Sequence, residues 1–222
     1  MQRRYPANGL QAVASNVELP DLEPATLEQR RARIERAPKP WTIGLIGKVD
    51  HRLKGIHVAL DAIAAVRDQL PELRFRILGE GSPARWSARA QQLGLGDQVQ
   101  FDGRLAPGEA VRRWLDEIDL YLQPSFHEGL PRATIEAMSR GCPVLGSTAG
   151  GIPELLPESR LHRPGDATTL GRQLAALAAS QQAQRDDAER NFSYVERFTA
   201  SVLRPRRAEF WRQFAQHCER HR

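Results

Sequence analysis

Residues 120–146 read LYLQPSFHEGLPRATIEAMSRGCPVLG. Leu120 to Leu122 is a short apolar run that reads as a buried strand. Pro131 to Arg140 reads as a helix. Proline suits its first position, because the missing N–H would be unpaired there anyway. Gly141 stands where a glycine ends a helix, with Pro143 just beyond. Pro143 to Gly146 is again a strand. A bounded helix between two short strands is a βαβ unit, and such units build parallel sheets.

The same alternation extends in both directions. Upstream, Trp41 to Gly47 is a strand. Ile56, Ala59, Leu60, Ile63, Val66 and Leu70 recur at helical spacing, and Pro71 closes that helix. Leu73 to Leu78 is a strand that enters a turn at Gly79-Glu80-Gly81. Trp86 to Leu93 is a helix stopped near Gly94, Val99 to Phe101 a strand, and Pro107 to Glu117 a helix. Downstream, Ala167 to Ala179 is a helix with Asp166 as its N-cap. The fold class is therefore α/β, a parallel sheet flanked by helices. Strands buried on both faces explain the apolar runs without polar alternation. Ligands of such sheets bind at the carboxyl ends of the strands, so chemistry is expected in the loops that follow them.

Three segments are expected. Residues 1–40, proline-containing and weakly periodic, read as a linker or arm with one mostly polar helix, Ala25 to Arg36. Residues 41–190 form the α/β domain. Residues 191–222 form a charged helical tail, which Pro205 should divide into two helices. There is no internal repeat and no low-complexity tract.

Composition narrows the classes. The chain has 222 residues, 41% apolar and 27% charged, which is ordinary globular usage. No stretch approaches the roughly 20 apolar residues of a membrane span, and residues 1–30 hold no apolar signal core. Cys142 and Cys218 stand far apart without metal-ligand spacing, and read as free thiols of a reducing cytoplasm. The net charge of +5 suits an anionic small molecule, nucleic acid or an anionic membrane surface, and chooses none of them.

Three loops carry candidate chemistry. The first turn of the helix at Pro131 presents the amides of Arg132, Ala133 and Thr134 at the positive end of the helix dipole, a ready anion site. Glu128 and Glu136 flank it. They cannot aid phosphate binding, but can accept hydrogen bonds from sugar hydroxyls; spacing alone favours reading them as two solvated glutamates. The second loop, Gly47-Lys48-Val49-Asp50-His51-Arg52-Leu53-Lys54-Gly55, holds two of the chain's three lysines, and lysine binds phosphate as a point charge. The third, Gly79-Glu80-Gly81-Ser82-Pro83-Ala84, matches the degenerate dinucleotide pattern G-x-G-x-x-A, with Asp102 downstream at a strand end. Pro83 removes an amide near the would-be phosphate turn, so the glycines fit a tight turn better than an NAD site.

Glu128 to Glu136 is E-x7-E, set in His127-Glu-Gly-Leu-Pro and followed by Gly141-Cys-Pro-Val and Gly150-Gly-Ile-Pro-Glu154. With Gly47-Lys48-Val49, Lys54-Gly55, Leu78-Gly79-Glu80-Gly81 and Phe101-Asp-Gly-Arg-Leu105, this resembles the donor-binding half of the retaining family 4 glycosyltransferases, which have the GT-B fold. The resemblance runs from about Trp41 to Glu154. It implies a Rossmann-like domain that binds a nucleotide-diphosphate sugar. Lys48 and Lys54 would neutralise the diphosphate; the family usually has arginine at the first of these. Glu128 would contact the transferred sugar and Glu136 the ribose. Amides near Arg132 and Ala133, in the Gly129-Leu130-Pro131 turn, would hold the distal phosphate. Gly47 would line the phosphate loop, and Arg104 and Leu105 would contact the base. The family needs no metal or other cofactor.

The resemblance also implies partners. These are a saccharide or lipid-linked acceptor and an N-terminal GT-B half, in the same chain or as a separate subunit. Contact with the cytoplasmic face of a membrane is compatible with it, and nucleic acid is not expected. Transfer in polysaccharide or glycolipid biosynthesis is the implied activity. A non-catalytic nucleotide-sugar module, a truncated remnant and a GT-B epimerase are the alternatives.

Overall fold

A computed structural model describes residues 15–220 apart from Pro71. Residues 1–14 of the expected arm, the helix ending assigned to Pro71 and the last two residues of the tail lie outside the described residues. Among the described residues there are six strands: β1 (Trp41–Ile46), β2 (Leu73–Leu78), β3 (Val99–Gly103), β4 (Leu120–Gln123), β5 (Val144–Ser147) and β6 (Leu161–His162). They form one sheet in the order β3-β2-β1-β4-β5-β6, and every pairing is parallel.

The helices are α1 (Pro24–Arg36), α2 (Ile56–Val66), α3 (Ala84–Gln92), α4 (Glu109–Asp116), α5 (Arg132–Ser139), α6 (Ala167–Ala178), α7 (Gln181–Val195) and α8 (Ala200–Arg220). They cover both faces of the sheet because successive strand residues point to opposite sides. Ile43, Leu45, Phe75, Ile77, Leu120 and Leu122 pack with Ile56, Leu60 and Ile63 of α2 and Leu170 and Leu174 of α6. Leu78, Tyr121 and Val144 pack on the other side with Trp114 and Leu115 of α4, Ile135 and Met138 of α5 and Val195 of α7. Each such side chain contributes roughly 1.5–3 kcal/mol on full burial.

Several boundaries differ from the expected ones. Pro131 is the N-cap of α5 with extended backbone, ψ 108°, and not its first helical residue. The helix expected from Pro107 starts at Glu109, after Gly108 at φ 90°. β6 is two residues long, too short for periodicity to reveal. The largest correction is in the tail. Pro205 lies inside the single helix α8, and the break falls earlier, at residues 196–199. There Leu19 pairs with Thr199, its N–H donating to the Phe198 carbonyl and its own carbonyl accepting from Ala200 N–H. The backbone of the N-terminal segment thus ends α7 and starts α8. Pro205 costs α8 one hydrogen bond, while Arg204 and Arg207 on either side both donate to Glu18.

The expected polar helix is α1. Its buried residues are Thr26, Arg30 and Ile34, spaced four apart. Because two of the three are polar, the sequence shows little apolar periodicity. The chain leaves β1 towards β2 and β3, then returns to β4 on the other side of β1. This reversal opens a crevice at the carboxyl ends of β1 and β4.

Candidate functional site

The crevice is closed at its base by contacts between the loops after β1 and β4. Residues 52–54 form one short helical turn ended by Gly55 at φ 70°. A Cβ on Gly55 would lie 2.0 Å from the carbonyl oxygen of Pro124, so only glycine permits this approach. The Phe126 N–H donates to the Leu53 carbonyl at 2.8 Å. Phe126 also stacks on His57 of α2, ring centroids 5.4 Å apart, and His57 stacks in turn on Trp86 of α3.

The loop geometry sends the two lysines to different carboxylates. Lys54 Nζ donates to Glu128 Oε1 at 2.6 Å, across the crevice. Lys48 Nζ lies 3.3 Å from Glu80 Oε1, towards β2. The basic charges therefore flank the carboxyl end of β1 and do not converge on one point. Lys54 is the more buried of the two, its side chain 28% exposed against 65% for Lys48. Its stem crosses Gly47, where an added Cβ would come within 2.6 Å of Lys54 Cγ.

A cleft of about 340 Å³ opens beside Lys48, lined by Ile46, Gly47, Leu78, Glu80, Arg104, Leu105 and Val111, among others. It brings together Gly47, Lys48, Arg104 and Leu105 as expected, and adds Val111 of α4. Arg104 is exposed, its guanidinium 3.9 Å from Glu80. The glycine turn after β2 has a packing role here. A Cβ on Gly79 would fall 1.9 Å from the Gly47 carbonyl oxygen. Asp102, which a dinucleotide site would direct to a ribose, is instead held by Arg76 at 2.8 Å and by the Trp114 ring N–H. That commitment removes the structural basis for the NAD reading.

The Glu128–Pro131 turn is held from β5. Gly151 N–H donates to the Gly129 carbonyl at 2.8 Å. Gly150, at φ 57°, leaves room for the Glu128 carbonyl, which an added Cβ would approach to 1.8 Å. Leu130 packs against the core behind the turn. No side chain caps the N-terminus of α5, where Arg132 is exposed and Ala133 half-buried. Glu136 is half-buried one turn further on. Burial pushes its carboxyl up from the ordinary value, while Arg132 and Arg112 pull it back. It does not line the cleft beside Lys48.

Glu128 is held by residues the sequence reading did not single out. Ser125 Oγ donates to its Oε1 at 2.7 Å and Gln123 Nε2 at 2.8 Å. Gln123 Oε1 accepts from the hydroxyls of Tyr121 and Thr134. The available signal was a glutamine and a serine at alternate positions running out of an otherwise apolar strand. Among the described residues no cluster of three His, Cys, Asp or Glu is arranged to hold a metal ion, and no helix is long and apolar enough to cross a membrane.

The arrangement offers an anion two lysines and a helix N-terminus, and offers hydroxyls a fixed carboxylate, all on one sheet edge. Known proteins are similar to this chain in sequence and fold. The putative colanic acid biosynthesis glycosyltransferase WcaL of Escherichia coli K12 is 36% identical over 138 residues, 56% of this chain and 33% of that protein. Among solved structures, Anabaena HepE in complex with UDP superposes with a TM-score of 0.75 at 22% identity, covering 91% of this chain and 57% of that one. The C-terminal domain of the group 1 glycosyl transferase LpcC from Francisella tularensis superposes at 0.66 and 22% identity, covering 83% of this chain and 96% of that domain. The fold is thus the C-terminal domain of GT-B. The chain spans between 22% and 47% of the length of the curated relatives it matches. Residues 40–180 match the family Glycosyl transferases group 1, and the chain belongs to that family.

Proposed function

We propose that this chain is the donor-binding domain of an enzyme that transfers a sugar, with retention, from a nucleotide-diphosphate sugar to a saccharide or lipid-linked acceptor in polysaccharide or glycolipid assembly. The observation that carries the reading is the pairing of Lys54 with Glu128 across the β1/β4 crevice, beside the cleft holding Lys48, Arg104 and Leu105. UDP in HepE and the colanic acid assignment of WcaL support the ligand class and the biosynthetic setting.

In this reading the base occupies the cleft, and the ribose lies outside it, towards Glu136. The diphosphate lies over Gly47 towards the N-terminus of α5. As the bond from the anomeric carbon to the diphosphate oxygen breaks, negative charge grows on the diphosphate, the acceptor hydroxyl oxygen bonds to the carbon, and its proton passes to the departing diphosphate. Lys48, Lys54 and the amides of Arg132 and Ala133 offset that charge without a metal. Glu128 holds the sugar hydroxyls. The acceptor belongs to an N-terminal GT-B half, in the same chain or in another, since near-attack geometry needs both partners fixed in a closed site.

Calorimetric titration with UDP, GDP and NAD tests the reading. A nucleoside diphosphate should bind, NAD should not, and Lys48→Ala with Lys54→Ala should remove most of the affinity. NAD binding, or equal diphosphate affinity in the double variant, would overturn it.

A further inference from the structure

Tyr121, Gln123 and Ser125 occupy alternate positions as β4 runs out into the loop that carries Glu128. All three are buried, at 0%, 1% and 0% exposure, and so is Thr134 of α5, at 0%. Buried polar side chains persist only when their donors and acceptors are matched, and here the matching has a direction. Tyr121 OH donates to Gln123 Oε1 at 2.8 Å, and Thr134 Oγ1 donates to the same oxygen at 3.3 Å. Burial raises the Tyr121 phenol well above its ordinary range, so it remains a donor. With Oε1 taken, the amide must turn Nε2 the other way. Nε2 then donates to Ser125 Oγ and to Glu128 Oε1, each at 2.8 Å. The opposite amide orientation would set oxygen against an ionised carboxylate, which has no proton to give.

The consequence lies at Glu128. Lys54, Ser125 and Gln123 all donate to one oxygen, Oε1. Among the described residues none is bonded to the other, Oε2. A carboxylate held by three donors on one oxygen cannot rotate without breaking them, so its second oxygen faces a fixed direction.

We propose that Gln123, oriented by Tyr121, is a positioning residue that fixes the rotation of Glu128 and presents Oε2 to the sugar of the donor. The proposal rests on the donor-binding reading above. It predicts a split between two ligands that a purely structural role would not give. The nucleotide and diphosphate do not meet Glu128 Oε2, whereas the sugar does.

The test is calorimetric titration of the full chain with UDP and with UDP-glucose. Gln123→Met keeps the length of the side chain and removes all four of these hydrogen bonds. Affinity for UDP-glucose should fall about tenfold or more, the usual cost of a hydrogen bond to a charged group, while affinity for UDP stays within about twofold. Tyr121→Phe should shift UDP-glucose in the same direction by a smaller factor, because it frees the amide without removing it. In a Glu128→Ala background, Gln123→Met should add nothing. Equal weakening of both ligands, no weakening of either, or a full effect in the Glu128→Ala background would each overturn the proposal. Absence of both UDP and GDP binding to the unmodified chain would instead overturn the donor-binding reading, and the two failures are distinct.

Discussion

Replacing Arg30 should unfold far more than the helix that bears it. Arg30 is 3% exposed and, among the described residues, meets no carboxylate. Its guanidinium donates to the carbonyls of Leu115 at 2.9 Å and Arg140 at 3.0 Å, to the Ile118 carbonyl, and to Cys142 Sγ. Leu115 lies in the last turn of α4, and Arg140 is the C-cap of α5. One cation of α1 therefore satisfies carbonyls at the ends of two other helices, where the dipoles favour positive charge.

Hydrogen bonds to a charged group contribute about 1.5–3 kcal/mol each, so three to carbonyls set an upper bound of about 4.5–9 kcal/mol. The burial cost of the guanidinium is recovered on mutation and lowers this figure. Each buried carbonyl left unpaired costs about 1–3 kcal/mol, and with the burial cost recovered the expected loss for Arg30→Ala is about 3–5 kcal/mol. Arg30→Lys keeps the charge but loses the fork, and should fall between. Against a typical total of about 5–15 kcal/mol, such a loss is a large fraction of the domain's stability. Urea unfolding followed by tryptophan fluorescence measures it. A change below about 1 kcal/mol, the range of an ordinary surface site, would show that α1 is a detachable arm and that the reasoning fails.

Burial drives His162 down from 6.5 to about 4. Its contribution is intact above pH 6.5 and lost as pH falls to 4, by about 3 kcal/mol in all; unfolding midpoints across that range should show the slope, and His162→Gln should flatten it. Gly150→Ala forces a side chain into φ 57° and against the Glu128 carbonyl, and should cost more than about 1 kcal/mol and weaken UDP-glucose binding; unchanged denaturation and titration curves would count against the loop contact. Lys54→Ala should weaken UDP more than Lys48→Ala, because Lys54 is the less exposed. Titration at rising salt should shrink the Lys48 effect first.

The sequence by itself determined the α/β class and most strands, because buried strands flanked by bounded helices leave a local record. It also marked the loops at Gly47–Gly55 and Glu128–Pro131, since glycine and proline punctuate backbone geometry wherever they stand. The family resemblance, carried by E-x7-E and by Phe101-Asp-Gly-Arg-Leu105, then suggested roles for Glu128 and Arg104. The partner of each charge was not legible. Lys48 and Lys54 look equivalent as neighbours in one loop, yet Gly55 and the short turn before it send them to Glu80 and Glu128, residues distant in the chain. Arg30 read as one more arginine of a polar helix, and only the docking of α1 against the ends of α4 and α5 shows it as a buried cation. The start of α8, ahead of Pro205, was likewise settled from outside the helix, by the pairing of Leu19 with Thr199. Periodicity and punctuation are local properties of the chain. The environment of a charge or the end of a helix is set by whatever the fold brings against it, and that is decided only in three dimensions.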